Sequence, residues 1–288
     1  MKRSKLFRRL AALAPDKLVY SLYYYERFHK FINWHNPVGF NEKEQWLKLN
    51  YRKTIQSICA DKYRVRDYVE KKVGAAILNE LYGVYTDAQS VDFDILPDSF
   101  VLRVNHGCGW NIIVPDKKKL NQYGARGSLE RWMVTDYYKL SKEWHYRDIP
   151  RRIVAERFLS EPGGLKDYKI YCFNGKPTYI LVIFGRGNGE LSESIYDTDW
   201  NLQSFTRHHK LNPDPIPAPI KLEEMLDISR VLSEDFPFVR IDLFNPGGKV
   251  YFGEITFHPG NGVNEFNPPD MDIEWGNLLK LPQGKEIF

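Results

Sequence analysis

Three charged residues stand where a buried strand face is expected. In FVRIDLFNPGGKVYFGEITFHPG, residues 238–260, apolar and polar residues alternate on both sides of a Pro-Gly-Gly turn, the pattern of an antiparallel hairpin. Alternate side chains of a strand share a face, so Arg240 and Asp242 point with Phe238 and Phe244, and Glu254 and Thr256 with Phe252. If the loop is the odd-length NPGGK, Phe244 faces Val250, Asp242 faces Phe252 and Arg240 faces Glu254. The three charges then converge on one surface. An even-length loop divides them between faces, because a one-residue slip turns a strand over. In the odd register Asp242 and Glu254 are diagonal neighbours, with Cα atoms about 7–8 Å apart. That leaves room for a hard cation such as Mg²⁺, which takes one or two carboxylates and fills its shell with water and phosphate oxygens. The competing reading is an Arg240–Glu254 ion pair on a solvated face, which contributes little.

The elements that must position this hairpin are legible in outline. Residues 1–60 read as helical, with NEKEQWLKLNYR placing Trp46, Leu47 and Leu49 among charges. A second helix, DKYRVRDYVEKKVG, closes on Gly74 as a C-cap. Leu96-Pro97-Asp98 breaks the chain before a strand, FVLRV. A charged helical stretch follows over about 117–143. RRIVAERFL and DYKIYCFNGKPTYILVIFG then read as strands, the latter folded at an NGK turn. NPDPIPAPI is a Pro-rich loop, and KLEEMLDISRVLSEDF is an amphipathic helix with Leu222, Met225, Leu226, Ile228 and Val231 on its apolar side. The order predicts an α+β fold with antiparallel sheet in the C-terminal half.

Composition narrows the class. The chain has 288 residues, 43% apolar and 27% charged, which is a globular composition with material for one large domain or a few small ones. A net charge of +4 suits an anionic small substrate as well as anything larger. The basic residues form no extended stripe with interleaved aromatics, so nucleic acid is not expected. Cys59, Cys108 and Cys172 are odd in number and lack CxxC spacing, which argues for a reducing compartment and against a zinc site. No apolar run approaches the roughly 20 residues of a membrane helix, and AALAPDKLVY is too short and interrupted for a signal peptide. A cytoplasmic protein is expected, with the basic MKRSKLFRR start as a surface for peripheral membrane contact. The sequence fixes no oligomeric state.

The hairpin has company. VRIDLF…GKVYFGEITFHPG resembles the metal-binding strands of ATP-grasp ligases: Arg-x-Asp, a turn, then Glu-x-Asn with Pro-Gly shortly after. Four further elements precede it in that family's order. ADKYRVRDYV resembles the helix opening the nucleotide-binding region, FVLRVNHGCGWN the strand and glycine-rich loop over the phosphates, RIVAERFL the adenine-side hinge, and DYKIYCFNGKP the strand with the ribose contact. The wording of GFNEKEQWLKLNYR, LPDSFVLRVNHGCGWNI, YDTDWNL and FPFVRIDLF…VYFGEITFHPGNG is similar to the branch linked to teichuronopeptide and cell-surface polysaccharide biosynthesis. The resemblance implies an ATP-grasp fold of two α+β subdomains gripping ATP: a helical extension over 1–60, then the grasp domain over 61–288, its glycine-loop part about 61–150 and its metal-bearing part 151–288.

The resemblance also implies roles. Lys62 matches the first phosphate-binding lysine, and Arg103 stands where the family usually has a second; arginine keeps the charge and adds a bidentate fork. Gly107 and Gly109 would let backbone N–H groups approach phosphate oxygens, with His106 touching phosphate or ordering the loop. Cys108 lacks a Cys-His-acid arrangement and is not read as a nucleophile. Glu156 would lie beside the adenine, with backbone groups of Arg157 and Leu159 reading its edge. Asp167 would accept from the ribose hydroxyls, and Lys169, two residues on and on the same face, would reach the phosphates. Asp242, Glu254 and Thr256 are the implied metal ligands, Thr256 replacing the usual Asn with a poorer one. Arg240 would face the reacting carboxylate and stabilise its oxyanion.

The implied chemistry is an ATP- and Mg²⁺-dependent ligation, with Mn²⁺ as an alternative metal, joining a small acid and an amine through an acyl phosphate. The polysaccharide context suggests uronic acids, amino sugars or amino acids. Two rivals use the same nucleotide site: a nucleotide-binding scaffold without turnover, suggested by Arg103 and Thr256, and a sugar kinase that stops at phosphoryl transfer.

Overall fold

The structure, a computed structural model, describes residues 13–184, 191–212 and 214–284. The basic segment proposed for membrane contact lies outside them. Among the described residues no helix is long and apolar enough to cross a membrane.

Two sheets organise the chain. The smaller has the order β1-β4-β2-β3 and is antiparallel throughout: β1 (Leu81–Tyr85), β2 (Phe100–Val104), β3 (Asn111–Val114) and β4 (Ile153–Arg157). It therefore runs past residue 150 and ends at Arg157. The larger has the order β10-β9-β5-β6-β7-β8: β5 (Tyr168–Phe173), β6 (Lys176–Phe184), β7 (Ser192–Asp197), β8 (Lys210–Leu211), β9 (Phe238–Phe244) and β10 (Tyr251–Thr256). Its pairs are antiparallel except β7 with β8. Asn174 and Gly175 turn β5 into β6 with φ of 49° and 76°, the left-handed pair that an Asn-Gly hairpin turn supplies.

Helices cover both faces of the large sheet. On one face α4 (Val65–Val73) and α7 (Leu222–Ser233) bury Val65, Val69, Met225 and Leu232 against Ile170, Val239, Ile241 and Leu243. On the other, α2 (Phe40–Asn50) and α8 (Met271–Leu278) bring Phe40, Leu47 and Trp275 against Tyr171, Phe173 and Phe238. The helix α1 (Asp16–Phe28) precedes them, and α3 (Thr54–Ala60) lies between α2 and α4. The expected helical stretch over 117–143 is interrupted: α5 (Gln122–Val134) and α6 (Tyr137–Ser141) are separate helices. Asn121 and Asp136 cap them, accepting from the N–H groups of Gly124 and Lys139, so each asparagine or aspartate starts a new helix inside the charged run.

The alternation of β9 explains the opening puzzle. Val239, Ile241 and Leu243 enter the α7-side core. Phe238, Arg240 and Asp242 take the opposite face, where Phe238 joins the aromatic core and the two charges lie beyond it. One sheet face is thus core at one end and polar at the other.

Candidate active site

The hairpin register differs from the expected one, and the charges converge anyway. Phe244 pairs with Tyr251 and Leu243 with Phe252, an even-length connection. Left alone it would turn Glu254 away. A bulge between Phe252 and Glu254 inserts one residue, Gly253, and restores the face: Glu254 pairs with Asp242 and Thr256 with Arg240. Asp242 and Glu254 are therefore direct cross-strand partners, not diagonal ones, and Arg240 stands opposite Thr256. A Cβ at Gly253 would lie 2.9 Å from the Asp242 carbonyl oxygen and 2.9 Å from the Phe244 ring. Glycine is what the bulge accommodates.

Lys169 joins from β5, paired with Asp242 across the next strand boundary. Its ammonium hydrogen-bonds Asp242 Oδ2 and lies 2.7 Å from Asp167 Oδ2. Arg240 donates Nε to Asp242 Oδ1 at 2.6 Å and Nη2 to Oδ2 at 2.7 Å, with Nη2 also 3.5 Å from Glu254 Oε1. Thr256 Oγ1 accepts from Arg240 Nη2 at 3.1 Å and donates to Glu254 Oε1 at 3.3 Å.

The small sheet supplies the opposite wall. Arg103 on β2 reaches Glu156 on β4 at 3.4 Å, the Gly253 carbonyl at 3.4 Å and Glu254 Oε2 at 3.6 Å, bridging the two sheets. Lys62 follows the end of α3 and donates to the Gly107 carbonyl. Its placement depends on Asp61, which accepts from the N–H groups of Tyr63 and Arg64 and from Asn105 Nδ2 at 2.8 Å. Neither Asp61 nor Asn105 was a candidate from sequence. The aspartate before a helical run was a visible capping signal; its bond across the chain to Asn105 was not. Arg66, also missed, donates to Glu156 at 3.4 Å and to the Asn79 carbonyl at 2.9 Å.

The loop between β2 and β3 separates its glycines by role. Gly109 has φ 74°, and a Cβ there would meet nothing within 4 Å: it is required for conformation and opens onto space. Gly107 is required for packing, because a Cβ would lie 2.7 Å from Trp110 and 2.9 Å from Tyr137. His106 is buried, with Nε2 3.1 Å from the Thr135 carbonyl, and burial lowers its imidazole pKa. It ties the loop to the C-terminus of α5. Cys108 is an exposed free thiol.

At the expected hinge, Glu156 is occupied by Arg66 and Arg103. The Arg157 N–H donates to the Glu80 carbonyl at 3.0 Å, and the Arg157 carbonyl accepts from Asn79 Nδ2 at 2.8 Å. The Arg157 backbone thus bonds the segment leading into β1, and Leu159 lies beyond the strand, half-buried.

Charge in the cleft is balanced: Lys62, Arg103, Lys169 and Arg240 face Glu156, Asp167, Asp242 and Glu254. Burial would raise the Glu254 carboxyl, but Lys62, Arg103, Lys169 and Arg240 overcome it and hold it at about 2. Burial raises Asp242, against the pull of Arg240 and Lys169. The donor set fits a nucleotide triphosphate with Mg²⁺: two cross-strand carboxylates, cations from both walls and an open left-handed glycine. Among the described residues no cluster of three or more His, Cys, Asp or Glu forms a metal site. Two carboxylates suffice for Mg²⁺, which completes its shell with phosphate oxygens and water.

No curated protein matches the chain. Among solved structures, D-alanine–D-alanine ligase from Bacillus anthracis complexed with ATP is 17% identical, with 69% of this chain and 54% of that one covered and a TM-score of 0.42. D-alanine–D-alanine ligase from Helicobacter pylori is 15% identical over 85% and 71% of the two chains, TM-score 0.44. Phosphoribosylamine–glycine ligase from Thermotoga maritima is 13% identical over 72% and 49%, TM-score 0.40. The match covers from 49% to 71% of the length of these ligases. The TupA-like ATP-grasp family model matches residues 42–280, most of the chain including every residue of the cleft, and the protein belongs to that family.

Proposed function

We propose that the protein is an ATP-dependent carboxylate–amine ligase that forms an amide through an acyl phosphate. Its acid or amine belongs to a uronic acid, amino sugar or amino acid destined for a cell-surface polysaccharide. The observation that carries this reading is the cross-strand pair Asp242–Glu254, set on a face with Lys169 and Arg240 and opposed by Arg103 and Lys62.

Asp242 and Glu254, with Thr256, would hold Mg²⁺, which when bound supplies positive charge to the phosphate oxygens of ATP. The chain's own part is positioning and neutralisation. Lys169 and Arg240, which pair with Asp242 here, are the cations of this face that would meet anionic substrate groups once a metal shared that carboxylate. Lys62 and Arg103 sit where phosphate oxygens would be met by ammonium and guanidinium. Arg240, backed by Thr256, would orient the substrate carboxylate and stabilise charge on it during reaction. The substrate carboxylate oxygen forms a bond to the γ-phosphorus and ADP departs. The amine nitrogen then bonds to the acyl carbon and phosphate departs.

The test is ADP release over a panel of uronic acids crossed with amino acids, with products identified by mass. ADP that requires both partners, with an amide product, supports the reading. ADP with a phosphoester and no need of amine would make the protein a kinase, and nucleotide binding without ADP from any pair would make it a scaffold.

A further inference from the structure

On the far side of the cleft, a loop is held in an unusual conformation by the N-terminal helices. In the turn that follows β10, after Phe257, His258 and Pro259, the residues Gly260, Asn261 and Gly262 have φ of 63°, 61° and 67°. An asparagine held left-handed between two glycines is an uncommon, costly arrangement that persists only where its surroundings impose it. Here Lys48 of α2 donates to Asn261 Oδ1 at 2.6 Å and to its carbonyl at 3.0 Å. Gln45 donates to the same carbonyl at 2.9 Å and to that of Gly262 at 2.8 Å.

The clamp continues to a second segment. Asn261 Nδ2 donates to the Ser141 carbonyl at 3.1 Å, and Ser141 Oγ accepts from the Glu143 N–H at 3.1 Å. Between them Lys142 is also left-handed, φ 62°, its carbonyl accepting from Tyr20 at 2.7 Å. The backbone on which Glu143 sits is therefore fixed from α1 and from the site loop. Its other flank reaches the glycine-rich loop. Tyr146 packs edge-on to Tyr137 at 4.9 Å, and Tyr137 packs on Trp110 at 5.1 Å and bonds the Cys108 backbone. Gly107, against Tyr137, accepts from Lys62.

Glu143 stands apart from the other carboxyls of this region. Asp242 is held by Arg240 and Lys169, Asp167 by Lys169, Glu156 by Arg66 and Arg103, and Glu254 by Arg240 and Arg103. Asp61 is wholly buried, 0% exposed, and spent as a cap. Among the described residues Glu143 forms no ion pair, and it keeps 7% exposure. Lys48, which attracts it, spends its ammonium on Asn261.

Building on the ligase reading, we propose that Glu143 is the site of the second substrate: it receives that substrate's ammonium group and takes its proton. The ammonium would supply the direct ion pair that Glu143 lacks among the described residues. One proton passes to the Glu143 carboxylate. The freed nitrogen lone pair forms the C–N bond, the C–O bond to phosphate breaks, and phosphate leaves with the electron pair and a second nitrogen proton. Burial raises this carboxyl to about 7, with Lys48 and Ser141 pulling the other way, which suits a group that accepts a proton near neutrality. Gln45 and Lys48 are positioning residues, acting through Asn261.

The experiment uses the full chain and the acid–amine pair found by ADP release, and replaces the amine in parallel reactions with hydroxylamine. Hydroxylamine is unprotonated near neutrality and traps an acyl phosphate as hydroxamate without a base. Glu143→Gln should lower amide formation by about 10²–10⁴-fold, the usual loss of a general base, and leave hydroxamate formation within a few-fold of wild type. Glu143→Asp should restore part of the amide rate. Equal losses of amide and hydroxamate would make Glu143 merely structural, and undiminished amide formation would exclude it; either overturns the proposal while the ligase reading stands. If wild type yields neither hydroxamate nor amide with any acid, the ligase reading itself falls, and the proposal with it.

Discussion

Two groups of buried charge share one face of the large sheet, and they are built on different terms. In the cleft, Asp242 is met by two cations and Glu254 by several, with hydrogen bonds of 2.6–2.7 Å from Arg240 to Asp242. On the other side of Tyr171, Arg207 is enclosed by the rings of Phe40, Tyr171, Phe266 and Trp275, 4.8–5.3 Å from their centroids. Glu44 lies 3.6 Å from it. Among the described residues neither the guanidinium nitrogens of Arg207 nor the carboxylate oxygens of Glu44 have a hydrogen-bond partner. The cage holds its cation by ring faces, completely out of solvent, and cannot exchange partners. The cleft pairs charges through bonds that an incoming anion or metal can take over. Desolvation without compensation costs stability; in the cleft the buried Asp242 and Lys169 are compensated directly, and the half-buried Arg103 and Glu254 carry the network out to solvent. On this difference we propose the cleft for function and the cage for architecture.

The largest effect should come from the cleft's centre. Asp242→Asn keeps the shape and removes the charge that serves both Lys169 and Arg240. ADP formation should fall by at least about 10³-fold, beyond the loss typical of one electrostatic donor. Leaving two cations uncompensated should also cost on the order of 3–5 kcal/mol of stability, read from urea denaturation. Near-normal turnover in this variant would remove Asp242 from the site.

Arg240→Lys comes next, with a kcat loss of about 10²–10³-fold and little change in nucleotide affinity by calorimetry. Lysine keeps one charge but cannot make the two-pronged contact seen with Asp242. A matched fall in nucleotide affinity would place Arg240 on the triphosphate, and a drop of only a few-fold would return it to an ordinary ion pair.

Gly253→Ala tests the bulge. A methyl group 2.9 Å from the Asp242 carbonyl and the Phe244 ring forces overpacking, with an expected cost of about 1–3 kcal/mol and a displaced Glu254. Loss of ADP formation should exceed what the lost stability explains. An alanine variant with unaltered activity and melting temperature would show that the bulge does not set the register.

The smallest effect separates cleft and cage by pH. Burial raises the Glu44 carboxyl from an ordinary 4.5 to about 8, Arg207 and Lys48 opposing. The folded chain then holds a proton that the unfolded chain releases. Stability from this group is full below pH 4.5 and declines as pH rises toward 8. Glu254, held at about 2, runs the other way: its contribution is present above about 4.5 and lost as pH falls toward 2. Glu44→Gln should therefore flatten the decline between pH 4.5 and 8 in the nucleotide- and metal-free chain, measured as urea midpoint against pH. An unchanged slope would mean that Glu44 ionises normally inside the cage.

Much of the cleft was legible because strand periodicity is local. Arg240 and Asp242, two residues apart, had to share a face, as did Glu254 and Thr256, and the Asn-Gly turn announced itself by residue type. The register was not legible. It depends on an even turn and a compensating bulge, and a glycine in a strand signals such a bulge without saying which way it acts. Asp61–Asn105, Arg66–Glu156 and Glu143 were invisible for a different reason: their partners are far away in the chain, so no spacing reveals them. Arg207 in SFTRHHKL reads as a surface arginine beside histidines, and only the converging aromatic rings show it to be interior.

The central claim is that the balanced cleft between the two sheets receives a metal-bound triphosphate. A crystal structure of the full chain with a hydrolysis-resistant ATP analogue and Mg²⁺ tests it most directly. The account predicts the triphosphate between the Gly107–Gly109 loop and the β9–β10 hairpin, Mg²⁺ on Asp242 and Glu254, and Arg240 and Lys169 withdrawn from Asp242. Nucleotide bound elsewhere, Mg²⁺ away from these carboxylates, or no binding at millimolar analogue would contradict it.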